Sequence, residues 1–156
     1  MKMTDIRKVL IGEASAVCRI LKDNGFGAYI VGGAVRDAII GIPIADMDVA
    51  TNATPKQVTE VFNKGGFRVI PVGEKFGTVQ VKCFQSLVEV TTYRSEGTYT
   101  DKRHPDYVKF ETELVKDLER RDFTLNAIAY DPVSYEIIDP FDGRKDIENG
   151  VIRAVG

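Results

Sequence analysis

Residues 28–51, "AYIVGGAVRDAIIGIPIADMDVAT", carry a strand, a turn, a helix and a second strand in immediate succession. "AYIV" is an apolar run closed by Gly32-Gly33, the pattern of a buried strand ending in a glycine turn. "AVRDAII" follows as a short helix, with Gly41 as its C-terminal stop and Pro43 just beyond. "ADMDVAT" alternates with period two and reads as a strand. On such a strand Asp46 and Asp48 share one face, while Met47 points the other way into the core.

The rest of the chain mixes both element types. Residues 4–24 predict an amphipathic helix with Ile6, Val9, Leu10, Val17, Ile20 and Leu21 on one face, Thr4 as its cap and Asn24-Gly25 as its stop. Thr54-Pro55 starts another helix, which carries Val58, Val61 and Phe62 and ends at Gly65-Gly66. Strands are expected at 67–71, 77–83 and 87–94, and the short "FQS" link implies an antiparallel hairpin. Residues 95–106 are polar and loop-like, and "YVKF" reads as a brief strand. "TELVKDLER" and "FTLNAIAY" read as helices, "YEIIDPFDG" as strand and turn, and "RKDIENGVIRAVG" as a helix and short strand. Without strict β–α alternation, the fold class is α+β.

Composition narrows the function classes. The chain of 156 residues is long enough for one real core, and 44% hydrophobic with 28% charged residues is ordinary for a globular protein. No apolar run reaches membrane-spanning length, and charges interrupt the N-terminus before any signal-peptide core develops. A cytoplasmic protein is expected. Cys18 and Cys83 with a single histidine, His104, make no Cys/His zinc site and read as buried thiols. A net charge of -2 argues against a surface built for long duplexes. The local gathering of Arg94, Lys102, Arg103, Arg120 and Arg121 suits a compact phosphate ligand better.

Two carboxylates side by side and partly desolvated raise each other's pKa unless a cation compensates them. Magnesium is the natural cation, because it takes hard oxygen ligands from one or two carboxylates and from substrate phosphates. A solvated pair near a strand start is the simpler alternative. Glu89 is the one acid in "LVEVTT". It completes a cluster if its strand lies beside that of Asp46 and Asp48, and otherwise it faces solvent on an edge strand. Gly32 and Gly33 let backbone N–H groups approach a phosphate at a helix N-terminus, although a tight turn explains them equally well. Arg36 can add charge to that phosphate or pair with Asp37. Asp122 and Asn126, four residues apart, can face one ligand beside Arg121, or Asp122 can simply cap the next helix.

The pieces "YIVGGAVRDAIIG", "ADMDVATNATP", "GEKFGTVQV", "VEVTTYRSEGTYTDKRHPDYVKF", "DLERRDFTLNAIAYD" and "IIDPFDGRKDI" together resemble the catalytic head of the class II tRNA nucleotidyltransferase and poly(A) polymerase family. They occur in family order from about Ala28 onwards. The resemblance implies a polymerase-β-like nucleotidyltransferase fold, a mixed sheet backed by helices. It implies that Asp46 and Asp48 bind Mg2+ and that Glu89 is the supporting third acid. Gly32, Gly33 and Arg36 match positions that hold the incoming triphosphate, and Arg121, Asp122 and Asn126 fall in the nucleotide-binding motif. The stretch from Glu96 to Pro105, with Thr98, Asp101 and Arg103, resembles the family's flexible loop, which helps switch from C to A addition.

The implied reaction adds C, C and A to the 3′ end of tRNA from CTP and ATP. The RNA 3′-hydroxyl attacks the α-phosphorus and pyrophosphate leaves. Bacterial poly(A) polymerases tend to carry a basic "GRRF"-like stretch where this chain has "GEKFGTVQV", which favours the CCA-adding branch. A poly(A) polymerase head, a CC- or A-adding head and a non-enzymatic interaction module are the alternatives. The family continues beyond "IRAVG" into a neck, whose Glu-Asp-x-x-Arg motif pairs with the incoming base, and then into body and tail domains that grip tRNA. The expected layout is therefore an N-terminal helix (1–27) packed on a head (28–156), with neck, body and tail absent and little independent activity.

Overall fold

A computed structural model describes residues 12–42, 47–97, 105 and 107–156. Helix α1 (Glu13–Asp23) buries Ala14, Val17, Cys18 and Leu21 along one face, at helical spacing. The expected 4–24 helix does not run through Gly12, which stands at φ 120° as the N-cap of α1, and residues 4–11 with the Thr4 cap lie outside the described residues. Asn24 ends α1, and its side-chain amide donates to the Ile20 carbonyl at 2.8 Å. Strand β1 (Ala28–Val31) leads through Gly32 into α2 (Gly33–Ile40), which Gly41 terminates at φ 92°. In that left-handed conformation the Gly41 amide reaches the Asp37 carbonyl at 2.8 Å. Strand β2 (Asp48–Thr51) precedes α3 (Pro55–Lys64), which opens on a full capping box. The Gln57 amide donates to the Thr54 hydroxyl at 3.3 Å, and the Thr54 amide donates to the Gln57 side chain at 2.9 Å.

Strands β3 (Arg68–Gly73), β4 (Thr78–Cys83) and β5 (Ser86–Thr92) form a meander. The two-residue β4–β5 turn holds Phe84 at φ 56°, as tight hairpin loops require. Strands β6 (Arg94–Glu96) and β7 (Val108–Phe110) pair as a separate ribbon ahead of α4 (Leu114–Glu119). Strands β8 (Ala129–Asp131) and β9 (Glu136–Ile138) and helix α5 (Gly143–Glu148) follow.

The main sheet has the order β3-β4-β5-β2-β1-β8-β9, with only the β2–β5 pair parallel. One face carries Ile30, Val49, Val79, Val81, Val88, Val90 and Tyr130, and it packs on the apolar sides of α1, α2 and α3. On the opposite face, Val31, Ala50 and Ala129 meet Leu114 and Leu118 of α4. Under β3, β4 and β5 that second face stays uncovered and bears Thr78, Gln80 and Glu89. Asp48 sits at the border between the covered and uncovered halves.

The expected 87–94 strand is split, since β5 ends at Thr92 and Arg94 opens β6 in the other sheet, and another element changes type. "FTLNAIAY" is not a helix: a single 3-10 turn, Thr124–Asn126, gives way to β8. The Thr124 amide donates to the Arg153 carbonyl at 2.9 Å, and Tyr130 pairs with Ile30 and Ile137. A short helix gains one bond per residue after a costly nucleus, whereas a strand between two partners has both edges satisfied and both faces buried.

Candidate active site

A cleft of about 320 Å³ opens where β1 ends and the antiparallel strand β2 begins. Gly32, Gly33 and Arg36 line it from the β1–α2 junction, Asp48 from the start of β2, and Arg120, Arg121, Asp122 and Asn126 from the segment after α4. Gly32 has φ 74°, a conformation in which other residues are strained. A Cβ at Gly32 would stand 3.4 Å from Arg121 Nη1 and 3.7 Å from Asp48 Oδ2, so the turn runs beneath both side chains. At Gly33 a Cβ would come within 3.1 Å of Arg36 Nη2.

Arg36 does not choose between the two roles expected of it. Its Nε donates to Asp37 Oδ1 at 2.9 Å while its Nη1 donates to Asn126 Oδ1 at 2.8 Å. The planar fork lets one guanidinium tie down two groups and still line the cleft. Asn126 Nδ2 in turn donates to Asp122 Oδ1 at 3.1 Å. Asp122 and Asn126 therefore meet as the spacing predicted, although the backbone between them is a 3-10 turn. Asp122 is not a helix cap, since its Oδ1 accepts from the adjacent Phe123 amide at 2.7 Å and the cap position carries no side-chain bond.

The condition set on Glu89 is met for Asp48. The two residues are in-register partners across the parallel β2–β5 pair. In-register side chains on neighbouring strands project from the same face, with backbones about 4.8 Å apart. Glu89 is exposed, yet β5 lies inside the sheet between β4 and β2, so the edge-strand reading does not hold. Glu89 lines a larger neighbouring cleft of about 910 Å³, together with Thr78, Gln80, Arg94 and Glu96. Arg120 lines both clefts. Asp46, Thr98, Asp101 and Arg103, as well as Lys102 and His104, lie outside the described residues. Among the described residues no group of three or more His, Cys, Asp or Glu could hold a metal ion. Asp48 and Glu89 supply two hard oxygen donors on one open face, a set that suits magnesium when phosphate or water oxygens complete it.

Sequence reasoning missed the buried carboxylate behind this cleft. Asp117 on α4 is fully buried and accepts from Arg120 Nε at 3.2 Å and Arg121 Nη2 at 3.1 Å. Its spacing to Arg120 and Arg121, three and four residues, was the available signal. Glu96 joins the cluster through Arg94 Nη2 at 2.8 Å. Burial and the neighbouring Arg120 cation pull the Arg121 guanidinium below its ordinary value, against the opposing pull of the Asp117 and Asp48 carboxylates. Even so, a guanidinium stays charged at neutral pH.

The comparisons with known proteins agree with this architecture. The poly A polymerase head domain family matches residues 28–153. A CCA-adding enzyme of Staphylococcus aureus (strain Newman) is 46% identical over 149 residues, covering 96% of this chain and 36% of the relative. The Bacillus stearothermophilus CCA-adding enzyme in complex with CTP superposes with a TM-score of 0.81 at 45% identity, over 92% of this chain and 33% of that one. A tRNA nucleotidyltransferase complexed with a primer tRNA and an incoming ATP analogue gives a TM-score of 0.67 at 33% identity, over 90% and 39% of the two chains. This chain thus spans about a third of the length of these relatives. The seven-stranded mixed sheet backed by helices is the polymerase-β-like nucleotidyltransferase fold of their head domains. The chain belongs to the poly A polymerase head domain family.

Proposed function

We propose that this chain is the head of a tRNA nucleotidyltransferase that adds C, C and A to tRNA 3′ ends from CTP and ATP. The observation that carries the reading is one cleft in which Gly32, Gly33, Arg36 and Arg121 face a carboxylate, Asp48, that is in register with Glu89. Three arginines around a half-buried aspartate suit a ligand that is both polyanionic and metal-bearing. Residues 28–156 are the head, and helix α1 packs on it. The segment with Thr98, Asp101 and Arg103 is the loop that switches from C to A addition. Free, buried Cys18 and Cys83 suit a cytoplasmic setting.

Each residue has a part. Asp46 and Asp48 would hold Mg2+, with Glu89 as the supporting third acid. When bound, magnesium neutralises charge on the triphosphate and activates the attacking RNA hydroxyl. Arg36 and Arg121 draw the phosphates into the cleft, and the bonds of Arg36 to Asp37 and Asn126 fix its plane before any ligand arrives. Glu89 faces the larger cleft, which gives the RNA 3′ end a route to the α-phosphorus.

The test joins residues 1–156 to the remaining part of the Staphylococcus aureus relative and supplies α-labelled CTP or ATP, magnesium and tRNA lacking its CCA end. The expected product is tRNA completed by C, C and A, lost in Asp48→Asn. Long adenylate tracts without use of CTP would support a poly(A) polymerase instead. No incorporation, with the parent enzyme active alongside, would contradict the proposal and leave an interaction module.

A further inference from the structure

Asp117 lines neither cleft, yet its carboxylate is divided unequally among the groups that do. Oδ1 accepts from the Arg94 backbone amide at 3.1 Å and from Arg120 Nε at 3.2 Å. Oδ2 accepts from Arg121 Nη2 at 3.1 Å. The Asp117 side chain is 0% exposed, so desolvation makes it costly unless each oxygen is satisfied by a charged donor. Arg121 is tethered at Nη2 and presents Nη1 over the Gly32 turn. Its buried Nε has no hydrogen-bond partner among the described residues. Nε is enclosed, so the donor that faces the cleft beside the glycine turn is Nη1. A phosphate oxygen satisfies that donor as a planar, charge-assisted bond.

We infer that Asp117 is the positioning residue that aims Arg121 at the triphosphate and, through its other oxygen, ties Arg120 and the start of β6 to the same frame. The inference rests on the proposed nucleotide site and deepens it. Asp117 touches no substrate. It fixes the plane of Arg121, so the entropy of ordering that long side chain is spent in folding rather than in binding. Because Arg94 begins the ribbon that leads into residues 98–104, one buried carboxylate holds both the triphosphate cleft and the root of that segment.

The unequal division makes Asp117→Asn a selective probe. The amide oxygen can keep the Arg94 amide and Arg120, while the NH2 group replaces the acceptor facing Arg121 and leaves donor against donor. Inorganic tripolyphosphate and magnesium–CTP are titrated into the wild-type chain, D117N, R121A and the double variant. The expected result is about tenfold weaker tripolyphosphate binding in D117N, the scale of one charge-assisted bond. R121A should weaken binding similarly, and D117N should cost almost nothing further in the R121A background. Equal binding by wild type and D117N, or losses that simply add, would overturn the inference while leaving the nucleotide site intact. Wild type that binds neither probe would contradict the proposed function, and the inference with it. Should D117N not fold, side-chain 15N spectra of the wild-type chain decide. A tethered Arg121 gives slow guanidinium rotation without ligand, and fast rotation would overturn the inference.

Discussion

Arg36 and Asp131 illustrate how single side chains here are held by more than one partner. Arg36 uses its fork on Asp37 and Asn126 at once, a geometry a lysine ammonium cannot copy. Arg36→Lys should keep the charge but weaken magnesium–CTP binding by about tenfold, measured by calorimetry, since a fixed plane becomes a mobile point charge. Burial alone would raise the Asp131 carboxyl. The Lys22 ammonium and the Val133 and Ser134 amides outweigh it and hold the group below the ordinary 3.8. A depressed folded value means that this stabilisation is present above the ordinary value and is lost as pH falls below 3.8 through the folded value. Asp131→Asn should therefore flatten the stability profile below about pH 4, read as thermal midpoint against pH. No flattening would show that Asp131 is uncoupled from Lys22.

At the level of elements, the helix ends obey local rules that can be read from sequence alone. Thr54-Pro55 sets the start of α3 and Gly41 the end of α2, each with the hydrogen bonds its residue type promised. Thr54→Ala should cost about 1 kcal/mol in denaturant unfolding and leave nucleotide affinity unchanged, because Thr54 lines neither cleft. Gly41→Ala should cost roughly 1 kcal/mol, because alanine must adopt the left-handed conformation. The element that sequence misjudged is the one whose fate is decided by distant partners. "FTLNAIAY" has helical spacing, but Tyr130 is taken up between Ile30 and Ile137, and Thr124 is held by the Arg153 carbonyl and the Asp146 carboxylate. Asp117 was hidden for a related reason. In "LVKDLER" it sits among charges and reads as solvated, and only the packing of α4 against β6 shows that it is buried.

At the scale of the whole molecule, the sheet order decides the site. Alternation told which residues share a face, but it could not tell that β2 and β5 are neighbours, because a helix and two strands intervene. The parallel β2–β5 pair brings Asp48 and Glu89 together, and the one-sided cover of α4 leaves them open to ligand. The same layering seals the other face, where Cys18 and Cys83 are buried and burial pushes both thiols up. Alkylation by iodoacetamide at neutral pH should thus follow global unfolding. Rapid labelling of either thiol in the native chain would contradict the packing of that face. The central claim, a carboxylate and arginine cleft that takes a metal-bound nucleotide, is tested most directly by calorimetric titration of magnesium–CTP into the wild-type chain and Asp48→Asn. Binding to the wild type should be saturable and magnesium-dependent, and should fall by about tenfold or more when the Asp48 charge is removed. Equal binding by the two proteins, or binding indifferent to magnesium, would contradict the central claim.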